Sequence, residues 1–126
     1  MATDYWKVEA HTQIKRLSAD IRSIMSFCGI HQLKLVIGGT ADIASLPTAQ
    51  PPILLIGRKW VAAMDDRERL KRVIHEIYGH CMLHLEHGDE AREQGYFSSP
   101  ERDTKSWEWY DAWCAWRGKA PDEKLG

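Results

Sequence analysis

The chain has 126 residues and a formal net charge of −1, and 44% of its residues are hydrophobic. This length suits one domain that buries a core without disulfides or structural metals. The near-neutral charge argues against nonspecific binding to nucleic acid. The longest apolar run, Pro51–Gly57, is too short to cross a bilayer. We therefore expect a single soluble domain over residues 1–126, without nucleic-acid or membrane partners.

The three cysteines, Cys28, Cys81 and Cys114, are an odd number and contain no Cys-x-x-Cys pair. This pattern indicates buried thiols in a reducing compartment and argues against a cysteine-based zinc site. The N-terminus lacks the basic-then-apolar pattern of a signal peptide. The sequence therefore predicts a cytoplasmic protein.

The N-terminal half predicts one helix and two strands. Apolar residues recur at three- and four-residue steps up to Cys28, which predicts a helix closed by Gly29. Gln32–Ile37 and Ile53–Ile56 are short apolar segments typical of strands. The proline-containing segment between them, Ala41–Pro52, predicts a loop.

The C-terminal half predicts two further helices. An apolar stripe runs from a cap at Asp65 or Asp66 to a stop at Gly88. A last helix is predicted from Asp103 to Gly118, followed by a frayed tail over residues 119–126. The expected fold is α+β, a compact domain in which a small sheet packs with an N-terminal helix, a motif helix and a C-terminal helix.

The motif helix carries the residues typical of a metal site. Four of the six histidines lie between residues 75 and 87, namely His75, His80, His84 and His87, and Glu76 follows the first. Imidazole is the commonest neutral metal ligand, and zinc favours nitrogen ligands. Zinc metallohydrolases use two such histidines to hold the metal and a neighbouring Glu to move a proton. We therefore predict Zn²⁺ as the cofactor and Glu76 as the catalytic base.

The spacing of the histidines leaves two metal-binding pairs open. His75 and His80 are five residues apart, which separates them by about 140° on a regular α-helix. They can share a metal only if a π-bulge widens the helix, and a flexible Gly79 would ease that distortion. In a regular helix His80 would instead pair with His84, on one stripe with Glu76. His84 is therefore the alternative ligand.

A zinc site also needs a third protein ligand, which the last helix offers as Glu108 or Asp111. We expect Glu108, because its longer side chain sits among aromatic residues where an unpaired carboxylate is costly. Tyr78 and Tyr110, with Tyr96 or His84 as alternatives, are candidates for stabilising an oxyanion.

The segment Arg69–His84 resembles the ImmA/IrrE-like small metallopeptidases, which carry His-Glu-Leu-Gly-His, three residues and another His. This chain has one residue more before Gly79. The resulting His-Glu-x-x-x-His spacing is similar to that of dipeptidyl peptidase III, which binds zinc. The resemblance implies a zincin-like domain that hydrolyses peptide or protein substrates, with His75 and His80 as zinc ligands and Glu76 as base.

Two other functions compete with the peptidase. The stretch His80–Leu85 resembles the core motif of YbeY-type rRNA endonucleases, although Glu90 stands where those have a further His. A zincin-like scaffold can also serve as a noncatalytic metal- or partner-binding module. In the peptidase interpretation, the second predicted strand, Ile53–Ile56, would guide an extended peptide by strand addition.

Overall fold

The computed structural model describes residues 5–84 and 99–118. Its elements in chain order are helix α1 (Tyr5–Cys28), strands β1 (Lys34–Ile37), β2 (Ile43–Leu46) and β3 (Ile53–Ile56), helices α2 (Arg58–Val61) and α3 (Asp66–Ile74), a π-helical segment π1 (His75–Met82) and helix α4 (Ser99–Trp116). This arrangement confirms the α+β fold. None of the described helices combines the length and hydropathy that a membrane span requires.

The three strands form one mixed sheet in the order β1-β3-β2. β1 runs parallel to β3 with Lys34 opposite Ile53, and β2 runs antiparallel to β3 with Ile43 opposite Ile56. The predicted loop Ala41–Pro52 is therefore wrong in part, because it contains β2. The prolines of that segment follow the strand rather than interrupt it, and β2 gains its hydrogen bonds from β3.

The central place of β3 also corrects the assignment of the peptide-guiding strand. Both edges of Ile53–Ile56 are already paired, one with β1 and the other with β2. Strand addition requires unpaired backbone groups at an edge. Among the described strands, β1 and β2 offer such edges and β3 does not.

The core forms where α1, the sheet, α3, π1 and α4 meet. The largest completely buried side chains are Trp60, Trp113, Tyr110, Leu17, Ile24, Leu54, Ile56, Leu70, Ile74 and Ile77. The three cysteines are free and buried, as predicted. Burial of aromatic and branched side chains supplies the main stabilisation of a domain of this size.

The helix boundaries follow local signals. Asp65 caps α3, since its side chain accepts a hydrogen bond from the Glu68 amide at 2.9 Å. Gly29 and Gly118 follow α1 and α4 with φ of 70° and 77°, as expected of glycines that end helices. Helix α4 begins at Ser99, before the predicted cap at Asp103, because a proline at position 100 fits the first turn of a helix. The predicted stop at Gly88 and the predicted tail over residues 119–126 lie outside the described residues.

The turn from β3 into α2 leaves no room for a side chain. A Cβ on Gly57 would collide with the backbone carbonyl oxygens of Thr40 and Asp42. Asp42 directly precedes β2 and pairs with Arg72 of α3, with Nη1 and Oδ1 3.3 Å apart. The start of β2 is therefore held between the sheet and α3.

Candidate metal centre

Segment π1 brings His75, Glu76 and His80 together. One donor atom from each side chain lies within 4.8 Å of the others, so the three residues could hold a metal ion. The imidazole centroids of His75 and His80 are 5.0 Å apart, with the rings nearly perpendicular at 83°. A regular α-helix would separate these positions by about 140°. The predicted widening between them is thus confirmed.

The widened turn packs closely against α4. At the end of π1 the amide of Leu83 donates to the carbonyl of Tyr78, five residues earlier, at 3.0 Å. A Cβ on Gly79 would lie 3.1 Å from Cζ3 and 3.4 Å from Cη2 of Trp109. The role predicted for Gly79 is backbone flexibility. In the structure its missing side chain also makes room for the indole ring.

Glu76 lies between the two histidines and is 6% exposed. Its Oε2 is 3.7 Å from Nε2 of His75, and its Oε1 is 4.0 Å from Nε2 of His80. Burial raises the pKa of Glu76 to about 7, a hydrogen bond with Ser45 opposes this rise, and the charge of Asp42 adds to it. An adjacent cation would favour the charged carboxylate.

A buried hydroxyl fixes the other side of the His75 ring. The Oγ atom of Ser106 lies 3.0 Å from Nδ1 of His75, and Ser106 is 3% exposed. With Nδ1 bonded to the hydroxyl, Nε2 is the nitrogen that faces Glu76 and is the one left for a metal. Sequence reasoning missed Ser106, although it lies three residues before Trp109, on the face of α4 that contacts π1.

Ser45 was also missed, for a different reason. It lies in β2, and its hydrogen bond to Glu76 depends on β2 passing beside π1. Because the segment was predicted as a loop, no sequence signal placed this residue near the motif.

The structure does not bring Glu108, the predicted third ligand, to this group. On an α-helix, Glu108 points about 160° away from Ser106, which is the residue that faces His75. The Glu108 side chain is 57% exposed, and its Oε2 lies 3.2 Å from Nζ of Lys105. Asp111 points about 140° away from Ser106 and is exposed as well. Both acidic candidates therefore lie on the solvent side of α4.

His84 lies beyond the end of π1 and outside the group. It is exposed and has a positive φ of 56°, so the helix does not continue through it. The stripe of Glu76, His80 and His84 needs a regular α-helix, which π1 replaces. The structure therefore favours the pair His75 and His80. His87, Glu90, Tyr96 and the part of the endonuclease-like pattern beyond His84 fall outside the described residues.

The two tyrosines predicted as oxyanion donors occupy different environments. The ring centroid of Tyr78 is 5.7 Å from that of Phe27 and 5.0 Å from that of Trp109, and its side chain is partly exposed. Tyr110 is completely buried beside Trp113, and burial raises its pKa to about 12. Tyr110 is therefore a core residue, while Tyr78 remains a candidate.

Comparisons with known proteins add no functional information. No protein-family model, curated protein or solved structure matches the chain. Two imidazoles and one carboxylate are a donor set that borderline metals such as zinc accept, and they can also move protons.

Proposed function

We propose that the protein is a zinc-dependent metallopeptidase in which His75 and His80 are two of the ligands of the cation and Glu76 transfers protons. The observation that carries this proposal is the convergence of the two imidazoles on the Glu76 carboxylate across a π-helical turn. π-Bulges concentrate at functional sites. A buried carboxylate beside two histidines is also costly unless a positive charge offsets it.

The three side chains have separate tasks in hydrolysis. Zinc would lower the pKa of a water molecule and polarise the peptide carbonyl. Glu76 would take the proton of the attacking water as its oxygen bonds to the carbonyl carbon. The same carboxyl group would then give the proton to the leaving amine as the C–N bond breaks. His75 is oriented for its part by the Ser106 hydroxyl.

Strand β2 offers a track for a peptide substrate. It is an edge strand, and its Ser45 is hydrogen-bonded to Glu76. An extended peptide added to the outer edge of β2 would therefore pass close to the carboxylate. This role replaces the one predicted for Ile53–Ile56, and it favours peptides as the substrate class.

Zinc binding is the first test. Protein purified without a histidine tag and stripped with chelator should bind one zinc per chain in calorimetry. His75→Ala and His80→Ala should each weaken binding at least about tenfold. The matched control is His11→Ala, which removes an exposed histidine of α1. Absence of zinc binding by the wild-type protein would overturn the proposal.

Catalysis is the second test. Glu76→Gln should keep zinc but lower the cleavage rate of a peptide pool by about a hundredfold or more. The pool is analysed by mass spectrometry with and without zinc. If the wild-type protein binds zinc and cleaves nothing in the pool, the noncatalytic metal-binding module is the better explanation.

A further inference from the structure

A second feature lies apart from the candidate metal group, which consists of His75, Glu76 and His80. A groove of about 610 Å³ separates α1 from the segment that leads into β1. One wall contains Ile21, Arg22 and Met25 of α1, and the other contains residues 31–35 together with Pro51. None of the three residues of the metal group lines it. Its volume is in the range of ligand-binding pockets.

The groove lies next to the first two residues of β1, a strand with one unpaired edge. The amide of Lys34 donates to the carbonyl of Pro52 at 2.9 Å, so the backbone groups of Lys34 point toward β3. In a strand the direction alternates, and the backbone groups of Leu35 therefore point away from β3. Within the described part of the chain, β1 pairs with β3 alone. Such an edge is a template for another strand.

Two consecutive residues of β1 line the groove. Lys34 and Leu35 point to opposite faces of the sheet, yet both line it. Leu35 packs toward the core, whereas Lys34 is exposed. A peptide strand at this edge would therefore place alternate side chains in an apolar and in a cationic environment.

The charges of the groove are of one sign. Arg22 and Lys34 are exposed cations at its rim, and its lining residues include no Asp or Glu. Its floor is formed by apolar side chains, including Ile21, Met25 and Leu35. Charge complementarity therefore selects a ligand that is both acidic and apolar.

We propose that this groove binds an extended segment of a partner protein, with alternating acidic and apolar residues, by strand addition to β1. The apolar side chains enter between α1 and Leu35. The acidic side chains face Lys34, and the charge of Arg22 at the rim of the groove also attracts them. The backbone of the segment bonds to the outward-pointing groups of β1.

The test uses the fluorescein-labelled peptide Glu-Val-Glu-Leu-Glu-Val and fluorescence anisotropy. We expect saturable binding, and at least about tenfold weaker binding of Lys-Val-Lys-Leu-Lys-Val. The double variant Arg22→Glu/Lys34→Glu should reverse this preference. The matched control, Lys7→Glu/Lys15→Glu, changes two exposed cations of α1 that do not line the groove, and it should leave the affinity within about twofold.

Two further measurements identify the mode and place of binding. The acidic peptide with alternate amides N-methylated should bind at least about tenfold more weakly, because it cannot complete a strand. Equal affinity of the methylated peptide would overturn strand addition. Binding should persist in His75→Ala, and its loss there would place the peptide at the metal group instead. No binding of the acidic peptide, or unchanged binding by a folded Arg22→Glu/Lys34→Glu variant, would overturn the proposal.

Discussion

Ser106 of α4 and His75 of π1 meet through a contact of 3.0 Å between Oγ and Nδ1, although they are far apart in sequence. The contact joins the C-terminal helix to the metal group through a residue that is itself buried. It fixes which ring nitrogen of His75 faces Glu76. The last helix thus contributes an orienting hydroxyl.

Replacing Ser106 should weaken metal binding without removing a ligand. We expect Ser106→Ala to lower zinc affinity by about tenfold, since His75 loses the partner that fixes its ring. Ser106→Thr, which keeps a hydroxyl, should recover most of the affinity. Calorimetry with zinc measures both variants. Equal loss in the two variants would instead indicate a packing defect.

The sequence predicts Glu108 as a zinc ligand, whereas its exposed position in the structure predicts that it does not bind zinc. Because its carboxylate is exposed and lies beside Lys105, Glu108→Gln should leave zinc affinity within about twofold. His80→Ala, measured in the same titration, should weaken it strongly. A large loss in Glu108→Gln would show that α4 turns toward the metal when zinc binds.

A methyl group at Gly79 requires the Trp109 ring to move by a few tenths of an ångström. Gly79→Ala puts a methyl group 3.1 Å from the indole, so we expect destabilisation of about 1–3 kcal/mol despite the better helix propensity of Ala. Urea denaturation measures this change. Combining it with Trp109→Leu should relieve the clash and make the two effects non-additive. Additive effects would contradict the steric explanation.

The contribution of Asp66 to the free energy of unfolding should decrease at acid pH. Its hydrogen bond with Arg16, followed by one with Arg69, holds the pKa of Asp66 below its usual value. A carboxylate with a lowered pKa stabilises the fold above the unfolded pKa, and this contribution disappears as pH falls through the folded pKa. Asp66→Asn should therefore cost about 1 kcal/mol at pH 7 and clearly less at about pH 2. Urea denaturation at the two pH values measures the difference, and an equal cost at both would contradict the linkage.

The helical spacing allowed the most specific structural prediction. His75 and His80 are five positions apart and cannot share one face of a regular α-helix, so a π turn follows from geometry once a shared site is assumed. The same reasoning did not extend to Glu108. The aromatic residues of α4 that lie near it in sequence are each about 80° or more away from it around the helix, so nearness in sequence did not place Glu108 among them. Sequence alone did not identify the buried face of this helix.

Strand β2 illustrates what local sequence cannot reveal. Its four residues form a strand because β3 supplies the hydrogen bonds, and that pairing is a tertiary contact. Ser45 could be connected with Glu76 only after β2 was known. The spacing of the histidines thus predicts the metal-binding candidates. The supporting residues, Ser45 and Ser106, can be identified only from the fold.

The absence of a side chain at Gly57 has an evolutionary consequence. Any other amino acid there would displace the backbone of Asp42 and, with it, the start of β2. Natural variants that retain the site are therefore expected to keep glycine at this position as strictly as they keep Glu76. Selection for the chemistry would then act on a residue that touches neither metal nor substrate.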